Sequence, residues 1–366
     1  MTEELIYIDK NIKLLKHSVK ESSSTVLFEG RKLSNEEILK GQCTILIVRS
    51  TCKVDQNLLN GTKVKFVGTA TTGTDHINLD YLKKNGISFK AATGANSNSV
   101  AEYVIYCLLK WSNVNNNQLN EKKIGIIGYG NIGRKVALYA HKLGIEVVVN
   151  DPPLFDEKFK FPDWVHHKSI SEIFKDSDII TNHVPLHLSG KYSTHSLINI
   201  DLLSKIKDNS LFLHTSRGSV VDESAFLETI KNKNIDFVFD VWENEPKINL
   251  EIAKQAIIAT PHIAGYSNNG KVLASRILAE EINKQYKIEI DYSVFVEDSC
   301  DSISADELSI KPPKDISKII NRSRQIEYDN DNFRKLLVMS EQERVIEFDQ
   351  LRKNYPIRNE SLFIQN

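Results

Sequence analysis

Three side chains suited to acid–base chemistry follow predicted strands in the second half of the chain: Arg217, Glu245 and His262. The guanidinium fork of an arginine can hold a carboxylate and polarise an adjacent oxygen. A histidine exchanges protons near neutral pH, and a carboxylate beside it orients the ring and stabilises the imidazolium. Together they suit hydride transfer at C2 of a 2-hydroxy or 2-oxo acid.

A glycine-rich loop earlier in the chain predicts the cofactor site. Gly128, Gly130 and Gly133 have G-x-G-x-x-G spacing after the predicted strand Lys122–Ile127, and Asp151 follows a second predicted strand. In such a β-α-β unit the glycines allow a tight turn, close approach to a pyrophosphate and close helix packing. A glycine turn in another kind of α/β protein is the alternative, which this context disfavours. The unit predicts a Rossmann-type dinucleotide site.

Each of the three catalytic candidates has an ordinary structural explanation when it is considered alone. Arg217 could be a surface arginine, Glu245 an exposed glutamate, and His262 a histidine in a satisfied turn. For each residue considered alone, the structural explanation is favoured. The three residues together, in this order after a complete dinucleotide-binding unit, favour a catalytic role. Glu243 remains a rival for the carboxylate, since it lies two residues before Glu245.

The elements that must position these residues alternate between strands and helices. In residues 1 to about 95, short apolar runs separated by helix-like stretches predict a small α/β domain with a parallel sheet. Ligands of such sheets bind beyond the carboxyl ends of the strands, where polar turns follow at Arg49 and Thr69. Ordinary loop chemistry is the favoured explanation of those turns from composition alone. The apolar runs are Leu5–Ile8, Val26–Phe28, Ile45–Val48, Val64–Val67 and Ile87–Phe89.

The predicted domain boundaries follow from this alternation. Residues 1–96 form a substrate, or lid, domain that is completed by a helix near 271–286, and residues 97–270 form the NAD-binding domain. A strong helix from Ser97 to Ser112 connects the two, and an irregular segment is expected from Pro152 to about His167. Residues 287–366 are predicted to be a third, α+β module whose use is subunit association. The predicted fold class is α/β, a Rossmann domain plus a flavodoxin-like substrate domain and a small C-terminal dimerisation domain.

Composition argues against several other classes of protein. The formal net charge of -1 gives no electrostatic reason to expect nucleic acid or an acidic membrane surface. The cysteines lack C-x-x-C spacing, which argues against a zinc site or a disulfide framework and suits a reducing cytoplasm. The N-terminus carries acids where a signal peptide is basic, and no apolar run reaches membrane length. We expect a cytoplasmic homodimer with no metal, nucleic acid or membrane partner.

Several segments resemble the D-isomer-specific 2-hydroxyacid dehydrogenases: GIIGYGNIGRKV, NHVPL, TSRGSVVDESAF, DVWENEP and PHIAGYS. Further segments, among them KVKFVGTATTGTDHINLDYLKKNGI and FDQLRKNYPIRNESL, narrow the resemblance to the branch that acts in vitamin B6 synthesis. It implies NAD-dependent oxidation of 4-phospho-D-erythronate to 2-oxo-3-hydroxy-4-phosphobutanoate. The alternatives are a dehydrogenase of the 3-phosphoglycerate or glycerate type, and a non-catalytic NAD-sensing binding protein.

The resemblance also implies residue roles. Arg217 would anchor the substrate carboxylate, and His262 would exchange the proton of the C2 oxygen. Glu245, directly before a proline, would partner His262 and is preferred to Glu243. Substrate contacts would come from Ser50, Thr71 and Tyr266.

The resemblance implies cofactor contacts as well. The negative charge of Asp151 would repel a 2′-phosphate, which favours NAD over NADP. Val184 stands where the family often has threonine, so only its backbone could take part, and His214 replaces a usual asparagine. The implied cofactor residues are Gly128, Gly130, Asn131, Ile132, Gly133, Asp151, Val184, Ser216, Asp240 and Gly265.

The substrate phosphate would need further cations. Arg49, Lys53 and the pair Arg352-Lys353 are candidates. We hypothesise that the last pair, with Tyr355 nearby, reaches the cleft of a partner subunit. A solvated charged face is the favoured alternative for that pair.

Overall fold

The computed structural model describes residues 4–20, 23–296 and 302–364, which form two compact units. The first unit runs to Asn96 and resumes at Asn268, and the second runs from Ser97 to Ser267. Residues 302–364, for which the sequence predicts a separate module, belong to the second unit. Their part in dimerisation stays a prediction.

The strands alternate with helices along most of the chain, as the sequence predicts. In chain order they are β1 (Leu5–Asp9), β2 (Ser24–Phe28), β3 (Ile45–Val48), β4 (Phe66–Thr69), β5 (Ser88–Ala91), β6 (Lys123–Ile127), β7 (Glu146–Asn150), β8 (Val165–His167), β9 (Ile179–Asn182), β10 (Ser210–His214), β11 (Ile235–Phe239), β12 (Ile258–Ala259), β13 (Ile303–Ser304) and β14 (Leu362–Phe363).

The helices vary from single turns to spans of five turns. Within the described ranges, no helix combines the length and the apolar character that a membrane span requires. The helices are α1 (Lys13–Ser18), α2 (Asn35–Gly41), α3 (Gln56–Leu59), α4 (Leu79–Lys84), α5 (Ser97–Asn115), α6 (Asn131–Lys142), α7 (Pro152–Asp156), α8 (Ile170–Asp176), α9 (Ile200–Leu203), α10 (Glu223–Asn232), α11 (Leu250–Gln255), α12 (Asn268–Tyr286), α13 (Pro313–Arg324), α14 (Ile326–Lys335) and α15 (Glu341–Lys353).

The first unit is built on a parallel sheet with strand order β2-β1-β3-β4-β5. Successive residues of a buried strand point to opposite faces, so each strand supplies two cores. Ile45 and Ile47 of β3 pack on the face that α12 covers with Leu278, whereas Leu46 faces Ile38 of α2. The strand order is that of a flavodoxin-like sheet, as predicted.

The second unit contains a parallel sheet with strand order β12-β11-β10-β9-β6-β7-β8. The chain leaves β6 toward β7 on one side and later adds β9 on its other side. Such a reversal opens a crevice at the carboxyl ends of the central strands, where doubly wound folds bind their ligands. This arrangement confirms the predicted α/β fold with a Rossmann-like domain.

The C-terminal helices share the core of this second unit. Helix α13 packs against α5, and the side chain of Asn330 in α14 accepts a hydrogen bond of 3.0 Å from the Ala259 amide in β12. The rings of Phe333 and Trp242 stack with centroids 5.3 Å apart. Residues 302–364 are therefore integral to the unit that carries the catalytic candidates.

The segment from Pro152 to His167 is more regular than the sequence predicts. It contains α7 and the edge strand β8, where an irregular segment was expected. Asp151 caps α7 by accepting the Leu154 amide at 3.1 Å, and two prolines occupy the first turn, where a missing N–H costs nothing. A helix of this length shows too little periodicity to be found in a sequence.

Candidate active site

The glycine loop has the geometry that a dinucleotide site needs. Gly128 adopts a positive φ of 92°, and a Cβ at Gly133 would lie 2.0 Å from the Gly128 carbonyl oxygen. Both positions therefore require glycine. Gly130 caps α6 without a side chain, and nothing lies within 4 Å of its Cβ position. The first amides of α6, at Asn131 and beyond, are thus open to an anion.

Asp151 lies beside this loop, as the fingerprint predicts. Its Oδ2 atom accepts a 2.8 Å hydrogen bond from the Tyr129 amide, inside the glycine turn. The carboxylate therefore orders the loop as well as the start of α7. Each oxygen of a carboxylate can accept a second hydrogen bond, which leaves room for a ribose hydroxyl. That contact stays a prediction, and the residues present fit a dinucleotide.

The other predicted cofactor residues have different neighbours. The Val184 amide nitrogen would lie 3.1 Å from a Cβ on Gly128, so its backbone faces the glycine turn. The Ser216 hydroxyl donates to Asn182 over 2.7 Å, and Gly265 lies in the loop after β12. Contact of these residues with the cofactor stays a prediction.

Asp240, a predicted cofactor residue, holds the loop that carries His262. Its buried carboxylate accepts hydrogen bonds from the Thr260 hydroxyl at 2.7 Å and from the amides of Ile263 at 2.8 Å and Ala264 at 3.0 Å. Burial raises the pKa of Asp240, although these donors and His262 favour its ionised form. Its contact with the nicotinamide stays a prediction, whereas its structural role is plain.

His262 and Glu245 form a close pair. The Nδ1 atom of His262 lies 2.6 Å from Oε1 of Glu245, and each side chain is 26% exposed. Nδ1 donates to the carboxylate, which leaves Nε2 to exchange a proton. Burial tends to raise the pKa of Glu245, but the histidine and the charge of Arg352 lower it overall. The geometry favours Glu245 over Glu243.

The backbone at His262 has an uncommon conformation. Its φ is 58°, in the left-handed region, and its amide donates to the Asp240 carbonyl oxygen over 2.7 Å. A non-glycine residue in that region costs of order 1–3 kcal/mol and persists where its surroundings impose it. Here the hydrogen bonds to Asp240 on both sides impose it. Such strain is concentrated at functional sites.

Arg217 follows β10, the neighbour of β11 in the sheet. Its Nη1 donates to the Ser216 carbonyl oxygen over 2.8 Å. A Cβ at Gly218 would lie 1.9 Å from the Trp242 carbonyl oxygen, so the turn after β10 is pressed against the turn after β11. Strands β10, β11 and β12 are adjacent, and their ends bring Arg217, Glu245 and His262 to one edge.

His214 supports the turn that carries Arg217. It is fully buried, its Nδ1 lies 2.7 Å from the Asn182 side-chain nitrogen, and its Nε2 lies 3.3 Å from the Gly218 carbonyl oxygen. Burial lowers the pKa of His214 to about 3, so the ring is neutral. Nδ1 then accepts from Asn182 and Nε2 donates to Gly218. The unusual histidine is a neutral brace behind the site.

Arg324, which the sequence reasoning missed, supports the same loop from the C-terminal helices. It is fully buried and donates to Glu102 Oε1 and the Ala264 carbonyl oxygen, both at 3.1 Å, and to the Tyr266 carbonyl oxygen at 3.3 Å. The available signal was a positive charge on the buried face of the segment that forms α13.

Arg352 lies at the site of its own chain. After the neighbouring His262, the positive charge of Arg352 also lowers the pKa of Glu245, while Lys353 is exposed. The ring of Tyr355 meets that of Tyr266 edge to face, with centroids 5.4 Å apart. The hypothesis that the pair Arg352-Lys353 reaches the cleft of a partner subunit stays a prediction.

The remaining candidates belong to the first unit. Ser50 is exposed after β3, and the Thr71 hydroxyl, after β4, donates to the Gly73 carbonyl oxygen over 2.9 Å. Lys53 pairs with Asp55 at 3.1 Å. Among the described residues, no three His, Cys, Asp or Glu side chains are grouped to hold a metal ion. Substrate contacts by Ser50 and Thr71 stay predictions.

Comparison with known proteins relates this geometry to a family. The sequence profile described as D-isomer specific 2-hydroxyacid dehydrogenase, NAD binding domain, matches residues 106–264. An erythronate-4-phosphate dehydrogenase of Bacteroides fragilis is 36% identical over 97% of this chain and 97% of its own length. Enzymes of the same name from Hahella chejuensis and Escherichia coli O1:K1 / APEC are 34% and 33% identical, and the alignments cover 91% and 93% of their lengths.

Solved structures share the fold of this chain. The D-lactate dehydrogenase of Aquifex aeolicus, in complex with NAD and lactic acid, is 25% identical with a TM-score of 0.62, over 79% of this chain and 99% of that one. The NAD+-bound 3-phosphoglycerate dehydrogenase of Entamoeba histolytica has the same coverage and a TM-score of 0.63 at 23% identity, which speaks for the fold alone. The chain belongs to the erythronate-4-phosphate dehydrogenases, within the D-isomer-specific 2-hydroxyacid dehydrogenase family.

Proposed function

We propose that this chain oxidises 4-phospho-D-erythronate at C2 with NAD, giving 2-oxo-3-hydroxy-4-phosphobutanoate in vitamin B6 synthesis. The observation that carries the chemistry is the 2.6 Å contact between His262 and Glu245, at the strand edge that also bears Arg217. The names of relatives that align with nearly the whole chain support the choice of substrate. NAD, when bound, supplies the hydride acceptor.

His262 is the base of the proposed oxidation. Because its Nδ1 donates to Glu245, the free Nε2 lone pair of the neutral ring accepts the proton of the C2 hydroxyl. The ring becomes an imidazolium, and the adjacent carboxylate stabilises the positive charge that appears. In the reverse reaction the same imidazolium returns the proton to the C2 oxygen.

Arg217 is the electrostatic partner of this base. Its guanidinium binds the substrate carboxylate through two parallel N–H donors and stabilises charge on the C2 oxygen as the hydroxyl loses its proton. The brace formed by His214 and Gly218 fixes the turn from which it projects. Ser50, Thr71 and Tyr266 are proposed to make the other contacts with the substrate.

The proposed cofactor contacts follow the loop geometry. Gly128, Gly130 and Gly133 let the backbone approach the pyrophosphate, and the amides at the start of α6 bind its charge. Asp151 takes the ribose hydroxyls, so NAD is preferred to NADP. We further propose a cytoplasmic homodimer that associates through residues of the C-terminal segment.

A substrate panel tests the proposal. Purified protein is assayed for NADH formation with 4-phospho-D-erythronate, 3-phospho-D-glycerate, D-glycerate and D-lactate, alongside the variant His262→Ala. We expect kcat/KM to be highest for 4-phospho-D-erythronate and His262→Ala to lose at least about a hundredfold in kcat. Preference for another acid would refute the substrate. NAD binding without any turnover, unchanged in the variant, would favour an NAD-sensing protein.

A further inference from the structure

The C-terminal tail, which we define as residues 358–364, runs along the first turns of α5 within the second unit. The fully buried carboxylate of Glu102, in α5, accepts hydrogen bonds of 2.5 Å from the amides of Ser361 and Leu362. Its other oxygen accepts a hydrogen bond of 3.1 Å from Arg324, which is also fully buried. Because three donors converge on this one carboxylate, the path of the tail is fixed at Glu102.

Glu360, directly before those two amides, joins the tail to the catalytic loop, which we define as residues 260–267 between β12 and α12. Its Oε1 atom accepts a hydrogen bond of 2.7 Å from the hydroxyl of Ser267, which is 2% exposed. Its Oε2 atom accepts another, also of 2.7 Å, from the side-chain nitrogen of Asn98 in α5. The carboxylate therefore bridges the end of the catalytic loop and the start of α5.

Asn98 is a fixed base for this bridge. Its side-chain nitrogen also donates to the Leu362 carbonyl oxygen over 2.7 Å, and its side-chain oxygen accepts a hydrogen bond of 2.5 Å from the hydroxyl of Tyr139. Tyr139 lies in α6 and is fully buried in the core of the second unit. Since the amide of Asn98 uses its oxygen and its nitrogen at once, it cannot turn without breaking several hydrogen bonds.

Tyr266 lies between two attachments of the catalytic loop. Its carbonyl oxygen accepts a hydrogen bond of 3.3 Å from Arg324, and Ser267 follows it directly. Its partly exposed ring meets the ring of Tyr355 edge to face, with centroids 5.4 Å apart. The backbone of Tyr266 is thus held by Arg324 and, one residue later, by Glu360, while its side chain stays accessible to a ligand.

We propose that Glu360 is a positioning residue for Tyr266. By bridging Ser267 and Asn98, it fixes the end of the catalytic loop from which Tyr266 contacts the substrate. Glu360 acts through the loop and does not bind the substrate itself. The C-terminal tail thereby contributes to the active site of its own chain. The inference rests on the proposed function, in which Tyr266 is a substrate contact.

The first test breaks the bridge in two variants and keeps it in a third. Glu360→Leu has no acceptor, and Glu360→Asp keeps the charge but is one methylene too short to span both partners. Glu360→Gln keeps the reach, since its oxygen can accept from Asn98 while its nitrogen donates to the Ser267 hydroxyl. With 4-phospho-D-erythronate we expect KM to rise about tenfold in the first two variants and less than about threefold in the third, with kcat within about threefold throughout.

Two controls accompany these variants. Asp331→Asn changes an exposed acid in α14 and should match the wild type. Ser267→Ala removes the donor at the other end of the bridge and should reproduce the rise in KM, which keeps the proposal testable if Glu360→Leu does not fold. A fall in kcat with KM unchanged would overturn the proposal. A loss in Glu360→Gln as large as that in Glu360→Leu would also overturn it.

A double-mutant comparison shows whether Glu360 acts through Tyr266. In the background of Tyr266→Ala, adding Glu360→Leu should raise KM by less than about twofold, because the side chain that the bridge positions is already gone. A further rise of about tenfold in that background would overturn the proposal, since a general packing defect gives additive losses.

A measurement without turnover separates this inference from the substrate assignment. The protein is labelled with fluorotyrosine and bound to NAD, and fluorine NMR records the signal of Tyr266, which the variant Tyr266→Phe assigns. We expect this signal to shift or broaden in Glu360→Leu and to stay unchanged in Asp331→Asn. An unchanged signal in Glu360→Leu would overturn the inference, while inactivity of the wild type on 4-phospho-D-erythronate would refute only the proposed substrate.

Discussion

Replacing Glu245 by glutamine isolates the charge in the catalytic pair. The amide has nearly the same shape, and its oxygen can still accept from Nδ1 of His262, so the ring orientation survives. What disappears is the negative charge 2.6 Å from a ring that becomes positive as it takes the substrate proton. The variant therefore measures how much the carboxylate stabilises the imidazolium.

The size of the effect follows from distance and exposure. Opposite unit charges about 4 Å apart interact by about 4 kcal/mol at an effective dielectric constant near 20. Both side chains are 26% exposed, so solvent screening reduces the expected loss to about 2–3 kcal/mol. Since each 1.36 kcal/mol is about tenfold in rate, kcat/KM should fall about 30- to 150-fold.

The assay is NADH formation from 4-phospho-D-erythronate across the pH range, with Glu243→Gln as the matched control. Glu243 lies two residues away in the same turn, and its amide bonds Glu223 at 2.8 Å. We expect Glu243→Gln to stay within about threefold of the wild type. Removing the anion of Glu245 disfavours protonation of His262, so the acidic limb of the pH profile should move to lower pH.

Two results would refute this reasoning. A larger loss of kcat/KM in Glu243→Gln than in Glu245→Gln would show that Glu243, and not Glu245, is the carboxylate partner of His262. A loss in Glu245→Gln below about threefold, with NAD affinity and melting temperature unchanged, would mean that the ring needs no charged partner.

Three further predictions concern the framework of the site. Gly133→Ala should abolish NAD binding, because its Cβ would lie 2.0 Å from the Gly128 carbonyl oxygen. Gly130→Ala should keep the melting temperature of the wild type, because no atom lies within 4 Å of the added Cβ. Titration of NADH fluorescence and thermal melting check both variants. Arg324→Met should lower the free energy of unfolding by about 3 kcal/mol, since it leaves Glu102 buried without its cation. In the same urea denaturation experiment, the exposed control Lys314→Met should change the free energy of unfolding by less than about 0.5 kcal/mol. The pKa of His214 is lowered to about 3 in the folded protein, so the stability that this residue contributes is full above its unfolded pKa near 6.5 and declines as the pH falls below that value. His214→Asn should therefore reduce the loss of unfolding free energy between about pH 7.5 and 5.5 by about 1 kcal/mol. An equal loss in the variant and the wild type would contradict this expectation.

The amino-acid sequence alone was sufficient for the features that depend on neighbours along the chain. The glycine spacing after β6, the acid after β7 and the polar ends of β10 to β12 are local patterns, and the carboxyl ends of parallel strands share one edge. Glu245 could be preferred to Glu243 only through a family resemblance. Short capped helices such as α3, α7 and α11 escaped detection, because one turn carries almost no periodicity.

Tertiary structure decided which atoms meet across long separations in sequence. Asp240 is predicted to contact the cofactor, and the structure adds that its carboxylate oxygens hold the amides after His262. His214 became a neutral brace because burial removes its charge. Arg324 reaches the catalytic loop from a segment that a sequence pattern could assign only to subunit association.

The physical reason for this division is the range of the interactions. Periodicity and turn chemistry are set by residues within a few positions of one another, so they can be read along the chain. The partner of a buried charge or amide is set by packing between distant elements, and it exists only once the chain has folded. The sequence therefore determined the type of chemistry and the edge of the sheet where it takes place, while the fold determined how Glu245 and His262 are held there.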